Sequence, residues 1–156
     1  MRPWVEALAQ RGVDAKALDL PKSNPAKAVD VFRSSLGARP HTAIGGHSYG
    51  GRMASLLAAD QPVAALVLLS YPLHRPGHPE DLRTEHWPRI DCPVLLLSGE
   101  RDPFARTDLL RAEVRRLRTA ELVTYPDIGH GLRGVLDDAS SRVAAFLQHQ
   151  SAQATV

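Results

Sequence analysis

The chain reads as an α/β protein, a three-layer α/β/α sandwich around a mostly parallel sheet of about five strands. Apolar runs alternate with stretches of helical periodicity almost from the start. Two of the runs, "VAALVLLS" (63–70) and "PVLLLSG" (93–99), are continuously apolar and bounded by turns. That composition belongs to strands covered on both faces. Strands joined by crossover helices run parallel, which places helices on both sides of the sheet.

The elements follow in order. Residues 3–11 form a helix with Pro3 in its first turn and Trp4 and Leu8 one turn apart. "VDAKALDLP" alternates in polarity and predicts a strand at Asp14 to Leu18, stopped by Pro21. In "SNPAKAVDVFRSSLG", Ser23 or Asn24 caps a helix and Pro25 suits its first turn. Val29, Phe32 and Leu36 share one face of that helix, and Gly37 ends it. "TAIGG" (42–46) is a short strand, followed by a helix burying Met53, Leu56 and Leu57. Between the two apolar strands lies a polar, proline-rich connector, 71–91, with room for one short helix at 79–87. A helix over 105–118, a last strand "ELVTY" (121–125) and a final helix burying Ala139, Val143 and Phe146 complete the pattern. No repeat or break in composition divides the chain, so residues 1–149 are expected to be one domain and 150–156 a frayed tail.

Composition narrows the function classes. With 44% hydrophobic and 23% charged residues, the balance is that of a soluble globular protein. No apolar run approaches the ~20 residues of a membrane span, and Glu6 and Gln10 interrupt any signal-peptide core. The expected location is the cytoplasm, with no membrane partner. Three Lys and sixteen Arg against 17 acidic residues leave a net charge of only +2. The densest basic stretch, "RAEVRRLR", is interrupted by Glu113 and striped by Leu110, Val114 and Leu117. It reads as the solvated face of an amphipathic helix, and no nucleic-acid partner is expected. Cys92 is the only cysteine, which excludes an internal disulfide or a thiolate metal cluster.

The chemistry concentrates at strand ends. "GHSYG" (46–50) fits G-x-S-x-G, in which a serine sits on a sharp strand-to-helix turn with its hydroxyl exposed. Gly46 and Gly50 are expected to make room where side chains would meet the strand and helix, and Gly51 to allow close helix packing. A serine hydroxyl needs a base, and His130, flanked by Gly129 and Gly131, follows the last strand in "DIGHGL". His41 lies at the amino end of its strand, on the wrong side of the sheet, and His47 should point away from the hydroxyl. His74, His78 and His86 fall in the connector and His149 in the tail; all four read as surface residues, and no metal site is expected. An acid must orient the base. Asp102 stands just beyond the penultimate strand, although Asp before Pro103 also suits a helix N-cap; Asp127 and Glu100 are alternatives.

The order Ser48, Asp102, His130, with "GGHSYGGRMA", "LLLSGERDPF" and "YPDIGHGL" at strand ends, resembles the α/β-hydrolases. The likeness is greatest to small dienelactone-hydrolase-like members without a separate cap, though those usually carry Cys as nucleophile. It spans nearly the whole chain and implies a truncated α/β-hydrolase fold. By resemblance, the backbone N–H of Tyr49 is one oxyanion donor. Family members usually have earlier strands and an His-Gly loop supplying the second donor, and no "HG" precedes His47. The absent strand would lie between Asp14–Leu18 and Thr42–Gly46, so the sequence is expected to be a truncated form or to pair as a homodimer.

The resemblance implies a serine hydrolase of small ester-like substrates that needs no cofactor. His47, Tyr71, Leu73 and Trp87 are the expected walls of its substrate pocket. A second reading, motivated by the missing front end, is a catalytically weak or inactive hydrolase-like module that binds a ligand or protein partner.

Overall fold

Four parallel strands form the sheet of the computed structural model, which describes residues 1–37 and 42–153. They are β1 (Ile44–His47), β2 (Leu66–Leu69), β3 (Val94–Gly99) and β4 (Ala120–Tyr125), in spatial order β1-β2-β3-β4. His47 lies opposite Leu69, Leu69 opposite Leu97, and Leu97 opposite Val123. The carboxyl ends of β1 and β2 are therefore level, and β3 and β4 run two residues further to Gly99 and Tyr125. Successive strands advance across the sheet in one direction, so crossovers of a single hand all pass over one face.

That face carries α2 (Pro25–Leu36), α3 (Tyr49–Ala58), the connector and α4 (Thr107–Glu113). Leu66, Leu68, Val94 and Leu96 meet Met53, Leu57, Trp87 and Leu110 there. The other face carries α1 (Arg2–Ala9) and α5 (Leu136–Gln153), where Val67, Leu69, Leu95 and Leu97 meet Trp4 and Val143. Odd and even strand residues point to opposite faces, so both faces are apolar and the central strands read as unbroken hydrophobic runs. Each fully buried Leu contributes about 1.5–3 kcal/mol, whereas exposed ion pairs such as Arg33–Asp60 (2.7 Å) contribute about 0–1. The Leu and Val rows hold the sheet.

The predicted fifth strand is absent. Residues 13–21 run without strand pairing, Leu18 and Leu20 pack against the core, and the Tyr49 hydroxyl donates to the Pro21 carbonyl (3.0 Å). A strand exists only where a neighbour takes its backbone groups, and this segment borders α3 instead of β1. Two further differences are local. Turns and a single 3-10 turn at Trp87–Arg89 replace the helix expected at 79–87. Residues 150–153, expected to fray, continue α5. Asn24 caps α2 by accepting from the Lys27 N–H (3.0 Å).

Candidate active site

The turn from β1 into α3 bends at Ser48, which takes φ +52° and ψ −117°. A non-glycine residue in that region carries strain, held only where the surroundings fix it. Here the Ser48 N–H donates to the Leu69 carbonyl (2.8 Å), and its carbonyl accepts from Arg52 in the first helical turn (3.0 Å). Close approach of strand and helix makes glycine obligatory at position 46, where a Cβ would lie 2.6 Å from Gly50 C and 2.8 Å from Gly51 N. The partner in this approach is Gly51, whose Cβ would lie 2.7 Å from the Gly46 oxygen. Gly50, expected to be the second obligatory glycine, would bring a Cβ only to 3.7 Å from a Leu20 methyl. The crowding falls one residue later than the motif suggests, because the helix has turned its third residue toward the strand.

The loops after β3 and β4 complete the arrangement. The Ser48 hydroxyl donates to His130 Nε2 (2.7 Å), and His130 Nδ1–H donates to Asp102 Oδ2 (2.7 Å). A carboxylate only accepts, which fixes the His130 tautomer. The Asp102 side chain is fully buried, while that of His130 is 25% exposed. Asp102 Oδ1 takes the Phe104 N–H (2.8 Å), so both oxygens are occupied. Asp102 is not the N-cap of α4, which starts five residues later after Arg106. Neither alternative acid reaches the imidazole: Asp127 pairs with Arg101 (2.5 Å), and Glu100 accepts from the Thr124 hydroxyl (2.7 Å).

Gly129 and Gly131, expected to shape the histidine loop, would bring a Cβ no closer than 3.9 Å to any neighbour and have ordinary φ. Its left-handed residues are Asp127 (φ +60°) and Leu132 (φ +49°). The glycine that admits this loop lies across from it, on β3. A Cβ on Gly99 would stand 2.2 Å from the Ile128 oxygen, and Arg101 N–H donates to that same oxygen (2.9 Å).

Tyr49 is the first residue of α3, so its N–H belongs to the set that no helical carbonyl takes. His47, expected to wall the pocket, turns instead to the histidine loop and donates from Nε2 to the His130 carbonyl (2.7 Å). Tyr71, Leu73 and Trp87, expected beside it, are at most 1% exposed and sit in the core. Tyr71 donates to the Arg83 carbonyl (2.6 Å) and meets the Trp87 ring edge-on at 5.1 Å. The connector folds inward because these large apolar side chains, with Ile90, enter the core, and burial takes precedence over lining an open wall.

Two connector histidines expected at the surface follow them. His74 is buried; its Nδ1–H donates to the Arg75 carbonyl (2.8 Å) and its Nε2 accepts the Arg106 N–H (3.1 Å). His86 is buried against Ser55 (2.8 Å), and burial lowers its pKa to about 4. Among the described residues, its Nδ1, Trp87 Nε1 and Arg52 Nε are buried without a hydrogen-bond partner. Of the three connector histidines only His78 is exposed as predicted, near Glu80 and Asp81 with donor atoms within 4.8 Å of one another; Asp81 is already paired with Arg75. His41 lies outside the described residues. Burial raises the Cys92 thiol to about 11, which disfavours its reactive thiolate.

Sequence reasoning missed Phe104, whose ring lies 4.6 Å from that of His130. Its place directly after Asp102-Pro103 is the one available signal. Among the described residues, no helix is long and apolar enough to cross a membrane.

Comparisons with known proteins agree with this fold. The family model of the alpha/beta hydrolase domain matches residues 17–154. A Salmonella typhimurium protein named "Putative carboxymethylenebutenolidase" is 34% identical over 98 residues, covering 56% of this chain and 35% of its own. The match thus spans about a third of that relative's length. Among solved structures, a Paleococcus ferrophilus monoacylglycerol lipase superposes with a TM-score of 0.79 at 14% identity, over 94% of this chain and 88% of its own. The Pyrococcus furiosus esterase Pf2001 gives 0.79 at 18% identity, over 96% and 74%.

Proposed function

The chain belongs to the alpha/beta hydrolase domain family, and from that premise we propose that it is a serine hydrolase cleaving small esters through an acyl-enzyme. The observation that carries this reading is the unbroken hydrogen-bonded chain from Ser48 through His130 to the buried Asp102. Ser48 Oγ attacks the acyl carbonyl while His130 Nε2 takes its proton. The buried Asp102 carboxylate holds Nδ1–H in place and stabilises the imidazolium that forms. The tetrahedral oxyanion faces the Tyr49 N–H at the positive end of α3. His130 then returns the proton to the departing alkoxide oxygen, and the alcohol leaves. In the second half, His130 deprotonates a water that attacks the acyl-Ser48 ester, and the carboxylic acid departs as Ser48 regains its proton.

Support for ester chemistry comes from the esterase and lipase folds this chain shares and from the carboxymethylenebutenolidase name of its relative. Hydrolysis of a short-chain p-nitrophenyl ester tests the reading. Turnover should fall by roughly 10⁴-fold in Asp102→Asn, where the tautomer is lost, and further in Ser48→Ala. Equal turnover in wild type and Ser48→Ala would contradict it.

A further inference from the structure

We propose that His47 is a positioning residue for His130, clamping the backbone of the base while Ser48, next to it in the chain, engages the base's side chain. The inference rests on the hydrolase reading for its catalytic consequence and on geometry for the clamp itself. Two consecutive residues hold the two ends of His130. Ser48 Oγ lies 2.7 Å from its Nε2, and His47 Nε2 lies 2.7 Å from its carbonyl oxygen. A carbonyl oxygen only accepts, so His47 carries its proton on Nε2. The rings of His47 and His130 meet edge to face with centroids 5.0 Å apart.

The loop needs such an anchor. Between its two left-handed residues, Asp127 and Leu132, the Ile128 carbonyl is held by Arg101 N–H and the His130 carbonyl by His47. A partly exposed imidazole on a strained loop would otherwise sample other directions. His47 is itself fixed, because it is the last residue of β1 and lies in register with Leu69. One strand end thereby sets the distance between nucleophile and base. Burial, the largest influence on His47, lowers its pKa and outweighs the His130 carbonyl, which raises it. A neutral His47 places no second positive charge beside the imidazolium that forms on His130 during turnover.

Two substitutions separate donor from ring. His47→Gln keeps an N–H at similar reach, and His47→Phe keeps the ring without it. The expected result is a kcat lowered roughly ten- to hundredfold in His47→Phe with KM little changed, and largely restored in His47→Gln. In parallel, proton and nitrogen NMR of the folded wild type should show His47 as the Nε2–H tautomer. A sharp downfield His130 Nδ1–H resonance should appear in wild type and in His47→Gln and broaden in His47→Phe. An Nδ1–H tautomer for His47 would overturn the clamp without any variant having to fold. So would a His47→Phe protein with unchanged kcat and resonance, or a His47→Gln protein as impaired as His47→Phe. Absence of turnover in wild type would refute the hydrolase reading, and the resonances would still decide the clamp.

Discussion

The three strand-end turns and the connector at 71–91 are both irregular, and both carry histidines, but different forces fold them. At the turns, contacts of a few ångströms between backbones fix the path: Gly46 against Gly51, and Gly99 against Ile128. Ser48, His130 and Asp102 are paired with one another there, and His130 reaches the surface. In the connector, the path is set by burying Tyr71, Leu73 and Trp87. His74 and His86 are carried down with them, and polar atoms are left unpartnered. Backbone sterics make a reactive corner; apolar burial makes a cover. Changes to the turns should therefore alter catalysis more than stability, and changes to the connector the reverse.

The largest separation is expected from alanine at the elbow. Gly46→Ala forces its Cβ into the backbone of Gly50 and Gly51, and should lower ester turnover by roughly 10²-fold or more while costing about 1–3 kcal/mol. Gly50→Ala has room, and should keep turnover while gaining about 0.5 kcal/mol. Equal loss in both variants, by steady-state kinetics and urea unfolding, would show that the elbow is not shaped by the strand–helix approach.

This pair of glycines also marks how far the sequence could be read. The elbow, the acid loop and the histidine loop were legible because each is a short turn with a residue type tied to a local demand. Close packing at Gly51 was legible too, but the open space at Gly50 was not, since that depends on how α3 rotates onto β1. The connector was less legible still. Its Pro and charged residues look like surface, and the decision to bury Trp87 and His86 is made by α3 and the sheet beneath. The strand expected at 14–18 failed for a related reason: alternation marks a half-buried segment, but only a neighbour makes it a strand.

Truncating the cover should have the opposite signature. Trp87→Ala is expected to cost about 3–5 kcal/mol in chemical unfolding, with kcat per folded molecule unchanged. A large fall in kcat of the folded protein would instead make the connector part of the catalytic corner.

A smaller effect follows from His86. Its pKa falls from 6.5 to about 4 because burial penalises the charged form. Between those values the unfolded chain binds the proton and the native state does not, so stability decreases as pH falls from about 6.5 towards 4. The slope from this group is at most about 1.4 kcal/mol per pH unit. Urea midpoints across this range should fall less steeply in His86→Gln; identical slopes would mean that His86 is not the buried group responsible.

The central claim, that Ser48 is a nucleophile activated by His130 and Asp102, is tested most directly by intact-protein mass after exposure to a fluorophosphonate. The folded wild type should gain a single phosphonyl adduct mapping to Ser48, and Ser48→Ala should gain none. A folded wild type that stays unlabelled, or an adduct that persists in Ser48→Ala, would contradict it.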